Sequence, residues 1–188
     1  MSQPDLNHPT LALMKERFSG KSLFASEFRG QTTVVVPAED LHAVLAFLKE
    51  EAGGGYALLS DIAGVDYLDY PKPKGLPVQG RFGVIYNLVS PAKDLRLFIK
   101  TYLEPTVATD GIEEDPALYL DSVTDLWPGA EWLEREVFDM FGIRFRNHPD
   151  LRRILLWEKY PAHPLRKDYP VRGRGERETF RVVDRDSA

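Results

Sequence analysis

Apolar residues recur along this chain in two rhythms. Leu11, Met14 and Phe18 sit three and four apart and predict a short helix over Thr10–Phe18, ended near Gly20. Leu41, Val44, Leu45 and Leu48 repeat the pattern within Glu39–Glu51, which the run Gly53-Gly54-Gly55 stops. Between them the β-branched run Gln31–Val36, closed by Pro37, reads as a strand that pairs with Ser22–Phe28 in a hairpin. Tyr56–Tyr67 reads as a further strand with an interruption at Ser60-Asp61. Arg81–Ser90 and Leu95–Glu104 form another hairpin across a tight Pro-Ala-Lys-Asp turn, after a turn-rich loop from Pro71 to Gly80. An acidic loop, Glu113–Asp115, precedes the last periodic stretch.

That stretch is a helix over Glu131–Phe141. A turn at Pro128-Gly129 leads in, and Glu131 in the first turn complements the helix dipole. Leu133, Val137, Met140 and Phe141 make its apolar stripe, and Gly142 suits a left-handed C-terminal cap. Glu131, Arg135 and Asp139 are four apart, so Arg135 has an acid one turn away on each side. Afterwards the texture changes. Ile143 and Phe145 alternate with Arg144 and Arg146 in a brief strand-like pattern. Pro149, Pro161, Pro164 and Pro170 then impose extended geometry, interleaved with Arg152, Arg153, Arg166 and Lys167. Such an arm is expected to bury its Leu, Ile, Trp and Tyr side chains only against something else.

Helices and short-turned strands in this order predict an α+β fold: a two-layer sandwich of a mainly antiparallel or mixed sheet with helices on one face. The predicted division is an α+β domain over 1–142 and an extended Arg/Pro-rich C-terminal arm over 143–188. At 188 residues and 43% hydrophobic content the chain supports a core, and no apolar run nears the roughly 20 residues of a membrane-spanning helix. The polar start, MSQPDLNHPT, predicts no secretory signal. With no cysteine, disulfides and thiolate-held clusters are excluded.

Charge is unevenly spread. Residues 1–143 carry a net −10 and residues 144–188 a net +5. A basic tail either folds back on its own acidic body, binds nucleic acid, or docks on partner subunits. Docking is the favoured reading. Nucleic-acid binding is set aside because the tail also carries acids and its aromatics do not interleave with the basic residues as stacking platforms.

The usual signatures of chemistry fail. Gly53–Gly55 lack the Gly-Lys-Ser/Thr of a phosphate loop and the third glycine of a dinucleotide fingerprint. His8, His42, His148 and His163 show no metal-ligand spacing. Asp61, Asp66 and Asp69 fit no calcium loop and read as turn caps or partner contacts. Glu134, Glu136 and Asp139 beside Arg135 read as a salt-bridge network rather than catalytic carboxylates.

The run ERExxDxFGIxFxxHPDLRRIL from Glu134 to Leu155, with VTDLW ahead and HPLRKDYP behind, resembles the 30-kDa-type subunit of respiratory complex I, the C subunit of bacterial proton-translocating NADH:quinone oxidoreductase. The close match spans Val123 to Pro170, and a looser one reaches back through SDIAGVDYLDYP and RFGVIYNLVS. The chain departs from the pattern at Ala162, where glycine is expected before His-Pro-Leu-Arg. The resemblance implies no catalytic, cofactor-binding or metal residue in this chain, with FMN and iron–sulfur clusters in partner subunits. It implies a scaffold in the peripheral arm, on the cytoplasmic side of the bacterial inner membrane, touching the membrane only through the complex. Partners would be chiefly the quinone-site 49-kDa-type subunit and cluster-bearing subunits. The residues expected at that interface are Glu134, Arg135, Glu136, Asp139, His148, Arg152, Arg153, His163, Arg166, Lys167, Asp168 and Tyr169. The nearest alternative is the equivalent subunit of a related membrane-bound hydrogenase or plastoquinone-reducing complex.

Overall fold

Both hydrophobic rhythms become elements close to their predicted places. The computed structural model describes residues 6–70 and 80–176. Helix α1 (Pro9–Arg17) is followed by strands β1 (Phe24–Phe28) and β2 (Gln31–Val35), then α2 (Leu41–Lys49) flanked by single 3-10 turns. Strands β3 (Leu58–Asp66), β4 (Phe82–Ser90) and β5 (Leu95–Leu103) come next, then a short β6 (Tyr119–Asp121), α3 (Ala130–Phe141) and β7 (Arg144–Arg146). The predicted loop from Pro71 falls, but for Gly80, outside the described residues, as does the tail beyond Glu176.

The main sheet has the order β1-β2-β5-β4-β3 and is mixed. Two antiparallel units, the β1–β2 hairpin and the β3–β4–β5 meander, meet along a parallel seam where Thr33, Val34 and Val35 pair with Phe98, Ile99 and Lys100. The expected interruption at Ser60-Asp61 is a bulge: Leu59 pairs with Leu88 and Asp61 with Asn87, leaving Ser60 unpaired. Strand β6, unforeseen in sequence, pairs in parallel with β7, Leu120 opposite Phe145.

Alternation sets the two faces of the sheet. Phe82, Val84, Tyr86 and Leu88 of β4 and Leu97, Ile99 and Leu103 of β5 point into the core, and each is at most 5% exposed. Met14, Leu41, Val44, Leu45, Leu48, Val137, Met140 and Phe141 from the helices join the same cluster. Fully burying one such side chain is worth roughly 1.5–3 kcal/mol. Helix α3 lies close on β3, where a Cβ on Gly64 would come within 2.5 Å of the Phe141 ring. The Thr10 and Tyr56 hydroxyls meet at 2.7 Å and pin α1 to the chain leaving α2. The core also extends past the expected break at Gly142, since Ile143 and Phe145 are 0% and 3% exposed.

Residues 147–176 hold no helix or strand beyond a 3-10 residue at the end. They nevertheless fold back over α3 and the ends of β3 and β4. This corrects the expectation that the segment finds no partner within its own chain: Tyr160 and Ala162 are buried, and Leu151 and Leu156 pack against the core.

Candidate functional site: helix α3 and the segment folded over it

Helix α3 presents two carboxylates inward, each fully buried. Glu134 accepts from the Ser122 hydroxyl at 2.7 Å and from the Val123 N–H at 2.8 Å. Burial pushes its carboxyl up to about 7, against the pull of those two donors. The His148 ring lies 3.9 Å away but is committed elsewhere. Its Nε2 hydrogen-bonds the Glu131 carbonyl at 3.0 Å and its Nδ1 accepts the Asp150 N–H at 3.0 Å, which fixes the tautomer.

Asp139 is surrounded more completely. Oδ2 accepts three successive backbone N–H groups, from Ile154, Leu155 and Leu156, at 3.0, 2.8 and 2.9 Å. Oδ1 receives Arg153 Nη1 at 2.6 Å. Burial opposes the charged form, but the Leu156 N–H, the Arg153 guanidinium and the other two amides outweigh it and hold the carboxyl below the ordinary range. The run LRRILLW therefore forms no helix; its amides form an anion-binding nest around one carboxylate. Arg153 Nη2 also reaches the carbonyls of Tyr160 and Ala162 at 2.8 and 3.0 Å, so one side chain spans the segment from end to end.

The C-terminus of α3 is closed by residues far downstream. The last four carbonyls of a helix lack partners within it. Here Gly142 N–H bonds Phe138 O at 2.8 Å, His163 Nδ1 donates to Asp139 O at 2.9 Å, Leu165 N–H to Met140 O at 3.1 Å and Arg166 Nε to Phe141 O at 2.7 Å. Gly142 stands at φ 75°, and a Cβ there would meet Arg166 Nη2 at 2.3 Å and the His163 ring at 2.7 Å. Both conformation and space demand glycine. Burial, then the neighbouring Arg166 and Arg153, push His163 down to about 4, so the imidazole stays uncharged beside two guanidiniums.

A third anchor joins the segment to the sheet. Asp66, 4% exposed, takes a bidentate grip from Arg81 at 3.1 and 2.8 Å and accepts the N–H groups of Leu68 and Lys167, each at 2.8 Å. Arg81 also pairs with Asp168 at 2.9 Å and donates to Thr109. Tyr169 closes the row, its hydroxyl 2.5 Å from that of Tyr160 and 2.7 Å from Glu176.

These contacts redraw the expected interface. Glu134, Asp139, His163 and Arg166 are buried and bonded within the chain, and most of the Arg153 side chain is covered too. The salt-bridge network expected of Glu134, Glu136 and Asp139 with Arg135 does not form. Arg135 pairs with Glu131 at 3.6 Å, but Asp139 turns away from it to Arg153, and Arg135 instead donates to the Arg152 and Arg153 carbonyls. Of the remaining positions, Glu136, Arg152, Lys167 and Asp168 are exposed, Tyr169 is half-buried, and the His148 ring is fully covered. The reading of Asp66 as a turn cap is met by its bond from the Leu68 N–H, but its pairing with Arg81 as the sheet-side anchor was not foreseen. The signal for the cap lies in Asp-Tyr-Leu-Asp-Tyr-Pro, where Asp66 precedes Leu68 by two as a side-chain turn cap does. The described residues contain no group of three His, Asp or Glu arranged to hold a metal, and no helix long and apolar enough to cross a membrane.

Outward, the surface is unusually apolar for so charged a region. Trp132 is 66% exposed, Leu155 62% and Leu165 53%, and Val171 is fully open.

Several known proteins are similar to this chain over most of its length. The family described as "Respiratory-chain NADH dehydrogenase, 30 Kd subunit" matches residues 34–175. The C subunit of NADH-quinone oxidoreductase from Geobacter metallireducens is 44% identical over 163 residues, covering 86% of this chain and 88% of its own. The protein of the same description from Geobacter sulfurreducens is 42% identical over 168 residues, covering 89% and 91%. The solved trypsin-resistant fragment of Nqo5 is 36% identical, with TM-score 0.59, over 76% of this chain and 99% of the fragment. A chain of an archaeal membrane-bound sulfane sulfur reductase shares the fold at TM-score 0.66 and 20% identity, over 93% and 91% of the two chains. The chain belongs to the family of the 30 kDa subunit of respiratory-chain NADH dehydrogenase.

Proposed function

We propose that this chain is the C subunit of a proton-translocating NADH:quinone oxidoreductase, a member of the peripheral arm that carries no cofactor and holds its neighbours in place. The observation that carries the reading is the extent of likeness to proteins of that description, above 40% identity over nearly nine-tenths of the chain. The geometry supports a structural task. Glu134, Asp139, Arg153, His163 and Arg166 of the family's charged motif are committed to internal bonds, and what they build is a fixed platform. That platform displays Trp132, Leu155 and Leu165 to the outside, the kind of large apolar side chain that fills a pocket on a partner.

On this reading the partners are the quinone-site 49-kDa-type subunit and cluster-bearing subunits. Flavin and iron–sulfur clusters reside in the partners, and the chain lies on the cytoplasmic side of the inner membrane. The segment after α3, as far as residue 176, serves as an arm whose inner side grips α3 and whose outer side meets neighbours. Lys167, Arg152 and Glu136 remain on the surface for such contacts.

The test is affinity purification of the tagged chain from detergent-solubilised membranes. Flavin, iron–sulfur clusters and NADH:quinone activity should co-purify. A preparation carrying hydrogenase activity would instead assign the chain to the related-complex alternative, and purification of the chain alone would overturn the subunit reading.

A further inference from the structure

The helices cover one face of the main sheet, whereas on the other the Tyr67 ring packs over Gly83 and Tyr102 and no helix or strand of the described residues lies across it. That open face is mixed, with Gln31 and Asp61 also lining it beside a small apolar group. Ala63, Ile85 and Phe98 lie on it, partly exposed, and together with Thr33, Asn87 and Lys100 they floor a shallow hollow of about 330 Å³.

One polar group on this floor is left unsatisfied, and another has no anion beside it. The amide oxygen of Asn87 is shut off from solvent and accepts no hydrogen bond. An unmet bond of that kind is strongly disfavoured once buried. Lys100 projects between two aromatic rings, its Nζ 4.4 Å from the centre of Tyr67 and 4.5 Å from that of Tyr102, and donates to the Tyr67 hydroxyl. No carboxylate among the described residues lies within ion-pairing distance of it. Asp61, on the same face, is exposed and does not pair with it. The cation is thus held in a fixed position, half out of water, facing outward and without an anion.

We infer that the open sheet face is a second docking surface, and that its occupant is another subunit presenting an Asp or Glu side chain, ringed by apolar groups, to Lys100. This rests on the subunit reading above. Charge complementarity selects the occupant: Ala63, Ile85 and Phe98 favour an apolar cover, and the cation beside them calls for a carboxylate once water is expelled. Burial already pushes Lys100 down to about 8, so the free chain keeps this charge against a penalty that an arriving carboxylate removes.

Two measurements test it on the whole chain and the purified assembly. In the first, lysines are acylated in the free chain and in the assembly, and linked there by a carbodiimide that joins amines only to touching carboxylates. Lys100 should be at least tenfold less reactive in the assembly and should cross-link to an Asp or Glu of a different polypeptide. Equal reactivity in both states overturns the inference while leaving the subunit reading intact, since the assembly itself has been isolated. A cross-link between two copies of this chain also overturns it. In the second, Lys100→Met should leave the free chain melting at or above the native temperature and reduce recovered assembly at least tenfold. Ile85→Glu, which places an internal carboxylate opposite Lys100 in register, should act the same way. Full assembly by both variants counts against the inference. If even the native chain recovers no assembly, the subunit reading fails first.

Discussion

Asp139 and Arg153 meet at 2.6 Å, fourteen residues apart in sequence, with the carboxylate fully enclosed and the guanidinium nearly so. The pair joins the last turn of α3 to the segment that follows, and three backbone amides complete the carboxylate's shell. Removing one member of a buried pair strands the other, which destabilises by roughly 3–5 kcal/mol. Asp139→Ala should lower the unfolding free energy of the isolated chain by about that much in urea titration. Arg135→Ala, which removes hydrogen bonds to two carbonyls and a looser ion pair, should cost only about 1–3 kcal/mol. Equal effects of the two would show that Asp139 is not the centre of this region.

Glu134 gives the chain a pH dependence of unusual sign for a carboxylate. With the folded group near 7 against an ordinary 4.5, the native state keeps a proton that the unfolded chain releases between those values. Its contribution to stability therefore falls as pH rises from 4.5 through 7. His163, pushed down from 6.5 to about 4, acts oppositely: its contribution is present above 6.5 and lost as pH falls through 4. Glu134→Gln should remove only the first effect. The stability difference between variant and native chain should grow by roughly 2–3 kcal/mol in the variant's favour from about pH 5 to about pH 8. Parallel pH curves for the two chains would refute the assignment.

Gly142 should tolerate no side chain. Left-handed geometry alone costs an L-residue roughly 1–2 kcal/mol, and the new Cβ must also displace Arg166 and His163. Gly142→Ala should therefore loosen the segment as well as destabilise the chain. In limited trypsin digestion of the native chain, cuts after the exposed Arg172 and Arg174 should precede cuts after Arg153 and Arg166. In the variant the order should collapse, all four sites opening together. An unchanged order would mean that the helix cap and the segment are independent.

Trp132 separates a platform role from an internal one. At 66% exposure its truncation should change the free chain's stability by no more than about 0.5 kcal/mol. If it anchors a partner, Trp132→Ala should cost about 2 kcal/mol or more of assembly free energy. That would be seen as reduced recovery of the complex with normal turnover in what remains. Unchanged recovery would place the partner surface elsewhere.

The sheet and its helices were legible because their signals are local. Val34 with its β-branched neighbours, and Leu41, Val44, Leu45 and Leu48, declare period and face within a single element. Strand β6 was not legible: a three-residue strand has too few positions to show alternation, and only its parallel partner β7 defines it. The candidate site was legible in composition and not in direction. The charges of α3 and the Arg-Pro segment stood out, but nothing local says that Asp139 turns to Arg153 rather than to Arg135 one turn away. That choice is made by three amides arriving from residues 154–156. Lys167 and Asp66 lie 101 residues apart, a contact for which one sequence carries no signal at all.

The parallel seam between β2 and β5 has a consequence for how the chain comes together. Each antiparallel unit closes on itself locally, so both can begin from neighbouring residues. The seam joins Val34 to Ile99 and must wait for a large loop to close. The rate of folding should accordingly be governed at the seam. Trimming Ile99 would slow the approach to the native sheet, whereas weakening the β1–β2 turn would mainly hasten its departure. The two halves of the sheet are thus quick to start and slow to marry, and the middle strands, not the edges, set the pace.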